Sequence, residues 1–87
     1  MDRTELKSQI KRALLEELDL RGRSEADIDD AAPLFGGGLG LDSLDALQLA
    51  MALEERFGVR VPEGEASRAI FASVNAIAEY IAQEKAR

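Results

Sequence analysis

Leu39-Gly40-Leu41-Asp42-Ser43-Leu44-Asp45 runs without a break into Ala46-Leu47-Gln48-Leu49-Ala50-Met51-Ala52-Leu53-Glu54-Glu55-Arg56-Phe57-Gly58, and this stretch decides the fold. An acid and a hydroxyl stand where a glycine-containing approach gives way to strong helix formers, and a glycine closes the run. The pattern predicts a helix over 43–57 with its C-terminal cap at Gly58. Asp42 or Ser43 can accept a bond from a free backbone N–H, and Asp45 at the third helical position completes a capping box. The chain has no histidine and no cysteine. Ser43 therefore has no imidazole to take its proton, which excludes a hydrolase-type triad. Its remaining uses are to cap the helix or to be modified by another protein, and the two are compatible.

Outward from that helix, the rest of the chain reads as more helix. Asp2 and Glu5 form a second capping-box pattern, and Leu6, Ile10, Ala13, Leu14 and Leu18 follow at three- and four-residue steps. The positive Lys7, Lys11 and Arg12 beside that stripe read as solvent-facing charges. The segment 19–33 loses the helical period and reads as a long connection, with Ile28, Leu34 and Phe35 tacked onto the core. The glycine-rich 36–40 lacks the Gly-Lys-Ser/Thr ending of a nucleotide-binding P-loop and reads as a turn that aims Ser43 outward. Val59, Val61 and Pro62 make an extended link to a brief helix over 65–70. Ser73 caps a last helix carrying Val74, Ile77, Ala78 and Ile81 at helical spacing. The expected fold is all-α, a small four-helix bundle with one short helix and a long first loop. No alternation long enough for a strand is present.

Composition sets further bounds. The 87 residues suit a single domain over 1–87, and a hydrophobic fraction of 46% is enough to build one core. Without cysteine that core rests on packing, and structural zinc is not expected. Asp27, Asp29 and Asp30 lack the glycine and terminal glutamate of a calcium loop, so no metal site is expected. A net charge of −6 argues against nucleic acid and for partners with basic surfaces. No apolar run is long enough to span a bilayer and no signal peptide opens the chain, so a cytoplasmic monomer is the expectation.

Asp42-Ser43-Leu44-Asp45, the acidic helix that follows it and Val61-Pro62-Glu63 together resemble an acyl carrier protein. The resemblance covers nearly the whole chain and is strongest over 39–62. It implies that the chain is not an enzyme. A separate phosphopantetheinyl transferase would use Mg²⁺ and coenzyme A to attach 4′-phosphopantetheine to Ser43, flanked by Asp42 and Leu44. The thiol of that arm would carry acyl groups as thioesters between enzymes of fatty-acid, polyketide or related lipid pathways. At the helix N-terminus the phosphodiester meets a positive dipole end, while Asp42 and Asp45 oppose close docking of its charge.

Asp45, Glu54, Glu55, Glu63 and Glu65 gather on or just after the second helix and read as a docking strip for basic patches on transferase, acyl-transfer and ketosynthase-type clients. Phe35, Leu47, Ala50, Met51, Ala69 and Ile70 are the candidates for lining a core that admits an acyl chain. Gln48 stands where the common bacterial fatty-acid pattern has an acid, Arg56 and Arg60 add positive charge, and Gly37-Gly38 replaces an acidic pair. These departures leave modification of Ser43 in place and set a dedicated pathway beside the ordinary fatty-acid one as the source of clients. Two other readings remain open: a peptidyl or aminoacyl carrier, and a helical interaction module in which Ser43 only caps.

Overall fold

The computed structural model describes residues 2–18, 24–34, 42–62 and 65–85, with 43, 65 and 66 described in backbone only. Among the described residues, four α-helices follow in order: α1 Arg3–Glu17, α2 Ser43–Phe57, α3 Glu65–Ile70 and α4 Val74–Lys85. No strand occurs among the described residues. Phe35 and Glu63, a pocket candidate and a docking candidate, lie outside those residues, as does the glycine-rich 36–40.

Helix α1 starts where Asp2 Oδ1 accepts the Glu5 N–H at 2.8 Å, the Asp2 half of the expected box. Its stripe of Leu6, Ile10, Ala13 and Leu14 is buried, and α1 packs against both α2 and α4. Helix α2 ends as the sequence implies. Gly58 takes the left-handed conformation with φ 69°, and its N–H bonds the Glu54 carbonyl at 2.9 Å. Val59 and Val61 then turn into the core. Helix α3 packs on α4, whose cap is Ser73 accepting the Ala76 N–H at 3.1 Å. Val74, Ile77, Ala78 and Ile81 form the buried face of α4, as their spacing predicts.

The long connection carries more order than its sequence suggests. A 3-10 turn, Glu25–Asp27, packs on α1, with Asp27 accepting the Ser24 N–H at 2.8 Å. Ile28 and Leu34 are buried as expected. Backbone bonds from Leu34 N–H to Ala72 carbonyl (3.3 Å) and from Asn75 N–H to Asp30 carbonyl (2.9 Å) fasten the connection to the α3–α4 junction. Phe71 also seals that junction; it is a large, fully buried side chain that falls between helices, where periodicity gives no signal.

Lys7 and Lys11 correct the sequence reading by being half-buried, whereas Arg12 is exposed as expected. Lys7 and Lys11 converge on Asp30, at 3.7 and 2.5 Å, and Arg12 reaches Glu25 at 3.5 Å beside the Ser8 hydroxyl, which donates to Glu25 at 2.5 Å. A one-turn spacing places Lys7 and Lys11 on one edge of the helix, and the connection supplies the acid they share. Arg3 similarly ties α1 to Glu79 of α4 at 2.6 Å.

These partners hold three carboxyls below their ordinary range. The Ser8 hydrogen bond and then Arg12 act on Glu25, Lys11 and then Lys7 act on Asp30, and Arg3 acts on Glu79. Each is more acidic folded than unfolded. The stability it contributes is therefore complete above the unfolded value of about 4 and is lost as pH falls through the lower folded value. Urea unfolding should accordingly show a midpoint that drops as pH is lowered from about 5 to about 2.5. Asp30→Asn should lower the midpoint at neutral pH and flatten the acid limb; equal acid limbs in wild type and variant would remove Asp30 from the account. Phe71→Ala should cost about 3–5 kcal/mol by the same assay, a large share of what so small a domain holds.

Candidate functional site

The head of α2 is built from two reciprocal carboxylates. Asp42 is extended (φ −119°, ψ −172°), and its Oδ1 accepts the N–H groups of Leu44 and Asp45 at 3.0 and 3.1 Å. Asp45 Oδ2 returns the bond to the Asp42 N–H at 3.0 Å, closing the expected box. Backbone donors that the first turn would otherwise leave unpaired are thereby used. Ser43 is the first residue of the helix, fixed in backbone between the cap and the first bonded amide. Both of its neighbours, Asp42 and Leu44, are exposed, Leu44 to 76%.

The two long faces of α2 divide differently from the sequence expectation. Leu49, Ala52, Leu53 and Phe57 are buried, with Ala46 and Ala50 packed at the margin. Leu44, Leu47 and Met51, three, four and seven residues apart, fall on the opposite side and are 76%, 54% and 60% exposed. Leu47 and Met51 were candidates for the lining of an acyl pocket, and they correct that reading by lying on the surface. Ala69 on α3 is likewise exposed. Ala50 and Ile70 are the two pocket candidates found half-buried against the core. The reason is geometric: leucines occur all around α2, and only contact with α1 selects Leu49 and Leu53 for the interior.

The acids expected to form a docking strip take several parts. Asp45 is half-buried in the capping box. Glu55 is exposed and continues the helical line of Leu44, Leu47 and Met51. Glu54 is exposed as a residue, yet its Oε2 accepts the Val61 N–H at 3.1 Å. Glu65 opens α3 and is described in backbone only.

Gln48 and Arg56, read from sequence as departures in the strip, both engage the C-terminal end of α1. The Gln48 amide donates to the Glu17 carbonyl, one of the acceptors a helix end leaves unpaired. Arg56 lies 2.7 Å from Glu16 and 3.8 Å from Glu17. Its positive charge is thus largely answered within the fold. Together these contacts fix the rotation of α2 against α1. Sequence reasoning could not find them, because they join positions 31 and 40 apart in the chain.

Among the described residues no group of three or more histidine, cysteine, aspartate or glutamate side chains is placed to hold a metal, and no helix is long and apolar enough to cross a membrane. The site instead offers an alcohol residue at the start of a 15-residue helix, between exposed neighbours and with two carboxylates at hand. Such a place fits a covalently attached phosphate group, which the helix dipole favours and the carboxylates keep from settling.

Asp42→Ala should cost about 1 kcal/mol of stability by urea unfolding, with faster exchange of the Leu44 and Asp45 amides. Leu47→Ser and Met51→Ser, on the open face, should stay within about 0.5 kcal/mol of wild type. A core-sized loss in either would return that residue to the interior.

A family model described as the phosphopantetheine attachment site matches residues 8–81, from the first half of α1 to the last turns of α4. The match takes in the whole of α2 with its cap, and it covers most of the chain. Members of this family carry 4′-phosphopantetheine covalently and present it to partner enzymes. By the extent of that match, the chain belongs to the phosphopantetheine attachment-site family of carrier domains.

Proposed function

We propose that this chain is an acyl carrier protein and that Ser43 is its point of attachment. The observation that carries the reading is the position of Ser43, the first residue of a capped helix between exposed Asp42 and Leu44, within a phosphopantetheine family match. A phosphopantetheinyl transferase supplies the base that the chain lacks. The Ser43 oxygen then bonds to the phosphorus nearer the pantetheine in coenzyme A, 3′,5′-ADP leaves, and the serine proton passes to the transferase. When bound, the arm supplies a thiol that holds acyl groups as thioesters. The residues of the chain anchor the arm at a stiff helix end and bring clients to it, and catalysis belongs to those clients.

Leu44, Leu47, Met51 and Glu55 form the docking face in this reading. Exposed apolar side chains at helical spacing provide desolvated contact, and the surrounding acids steer a basic partner and leave release fast. Ala50 and Ile70, at the core margin, are the described residues best placed to border an acyl chain, and methylenes buried there would stabilise the loaded form by ~0.8 kcal/mol each. The acidic second helix supports acyl over aminoacyl cargo, and fatty-acid, polyketide or a related specialised lipid pathway is the proposed setting.

Incubation with coenzyme A, Mg²⁺ and a broad-specificity transferase, followed by intact mass, tests the reading. One phosphopantetheine adduct is expected, absent in Ser43→Ala although that variant keeps its helical spectrum. An unmodified chain, under conditions that convert a control carrier, would mean that Ser43 is a cap and nothing more.

A further inference from the structure

Glu54 serves the 58–62 segment twice. Its carbonyl accepts the Gly58 N–H at 2.9 Å and so ends α2. Its carboxylate then reaches past the turn to accept the Val61 N–H at 3.1 Å. From the other side, Tyr80 of α4 donates its hydroxyl to the Arg60 carbonyl. Val59 and Val61 are buried to 7% and 6% exposure. Among the described residues, the 58–62 segment is thus gripped by one side chain from α2, one from α4 and two valines in the core.

Of these grips, the Glu54 carboxylate is the one that carries a charge, and it belongs to an exposed residue that a visiting protein can reach. The Val61 N–H is part-buried, while the acceptor it uses belongs to an exposed residue carrying a full charge. Glu54 follows Met51 by three residues, so the two are surface neighbours on α2. A lysine or arginine on the rim of a client seated on Leu47 and Met51 would meet this carboxylate.

We propose that Glu54 is a latch opened by docking: pairing of its carboxylate with a client's cation competes with the Val61 N–H and frees the segment that carries α3. The competition has a simple physical origin. An external cation draws the side chain toward solvent and takes up the negative charge that makes it a strong acceptor for the amide. Linkage makes the effect mutual, so a freed segment in turn favours docking by the same factor. The coupling rests on the carrier reading, whereas the latch contact is internal to the fold.

Amide exchange followed by NMR on the full chain tests both parts. Glu54→Ala should speed Val61 exchange about tenfold, a factor that corresponds to one such bond. Glu54→Gln, which keeps an oxygen acceptor without the charge, should largely retain protection. The coupling is then read in the Ser43→Ala chain, which cannot be modified, saturated with a broad-specificity phosphopantetheinyl transferase. Val61 exchange should rise by a similar factor with Glu54 present, and should not respond to the transferase in the Ser43→Ala chain carrying Glu54→Gln. Unchanged or slower Val61 exchange in the saturated complex overturns the coupling, and undiminished protection in Glu54→Ala overturns the latch. A wild-type chain that gains no adduct and shows no transferase binding overturns the carrier reading, and the coupling falls with it.

Discussion

The architecture depends on the burial of one stripe along α1. Ile10, Ala13 and Leu14 are sealed from solvent because α2 covers the stripe on one side and α4 on the other. With no cysteine in the chain, this packing carries the bundle. The first helix holds no element of the proposed chemistry, yet it decides which way α2 faces. The contacts of Gln48 and Arg56 with the end of α1 add direction to what hydrophobic burial alone leaves loose.

That orientation gives one helix two different sides. Leu49, Leu53 and Phe57 hold it to the core, while Leu44, Leu47 and Met51 are left on the far side. Leaving three large apolar side chains in water has no benefit for folding, which is why the proposed function uses them as its docking face. Ser43 sits at the head of the same helix, so in the proposed function a partner seated on that face is brought to the serine. The ion pairs of Lys7, Lys11, Arg12 and Arg3 meanwhile spend most of the positive charge of α1 inside the fold.

Much of this could be read from residue order, because the signals are local. Asp42 and Asp45 announce the start of α2, Gly58 its end and Ser73 the start of α4, each through bonds spanning three or four residues. Ile28 and Leu34 also stood out, as apolar residues in a polar connection. What escaped was long-range. Nothing local pairs Lys11 with Asp30 or Arg56 with Glu16. The 3-10 turn at Glu25–Asp27 has no apolar period to betray it, and Phe71 follows the last residue of α3 without belonging to a stripe. The two faces of α2 were confused because leucine is common to both, and leucine signals an interior only when a neighbour is known. The link between Glu54 and Val61 was hidden for a related reason: it needs the left-handed turn at Gly58 to fold the chain back.

The division of α2 into an inner and an outer side imposes a restriction of length. Each residue added to a helix turns everything beyond it by about 100°. One extra residue between Leu44 and Leu47 would leave the rest of α2 seated on α1 and swing the serine about a quarter-turn away from Leu47 and Met51. Such an insertion would keep the fold and the apolar outer side while turning the alcohol out of line with it. Descendants of this sequence are thus free to exchange side chains along α2 far more readily than to change the number of residues in it.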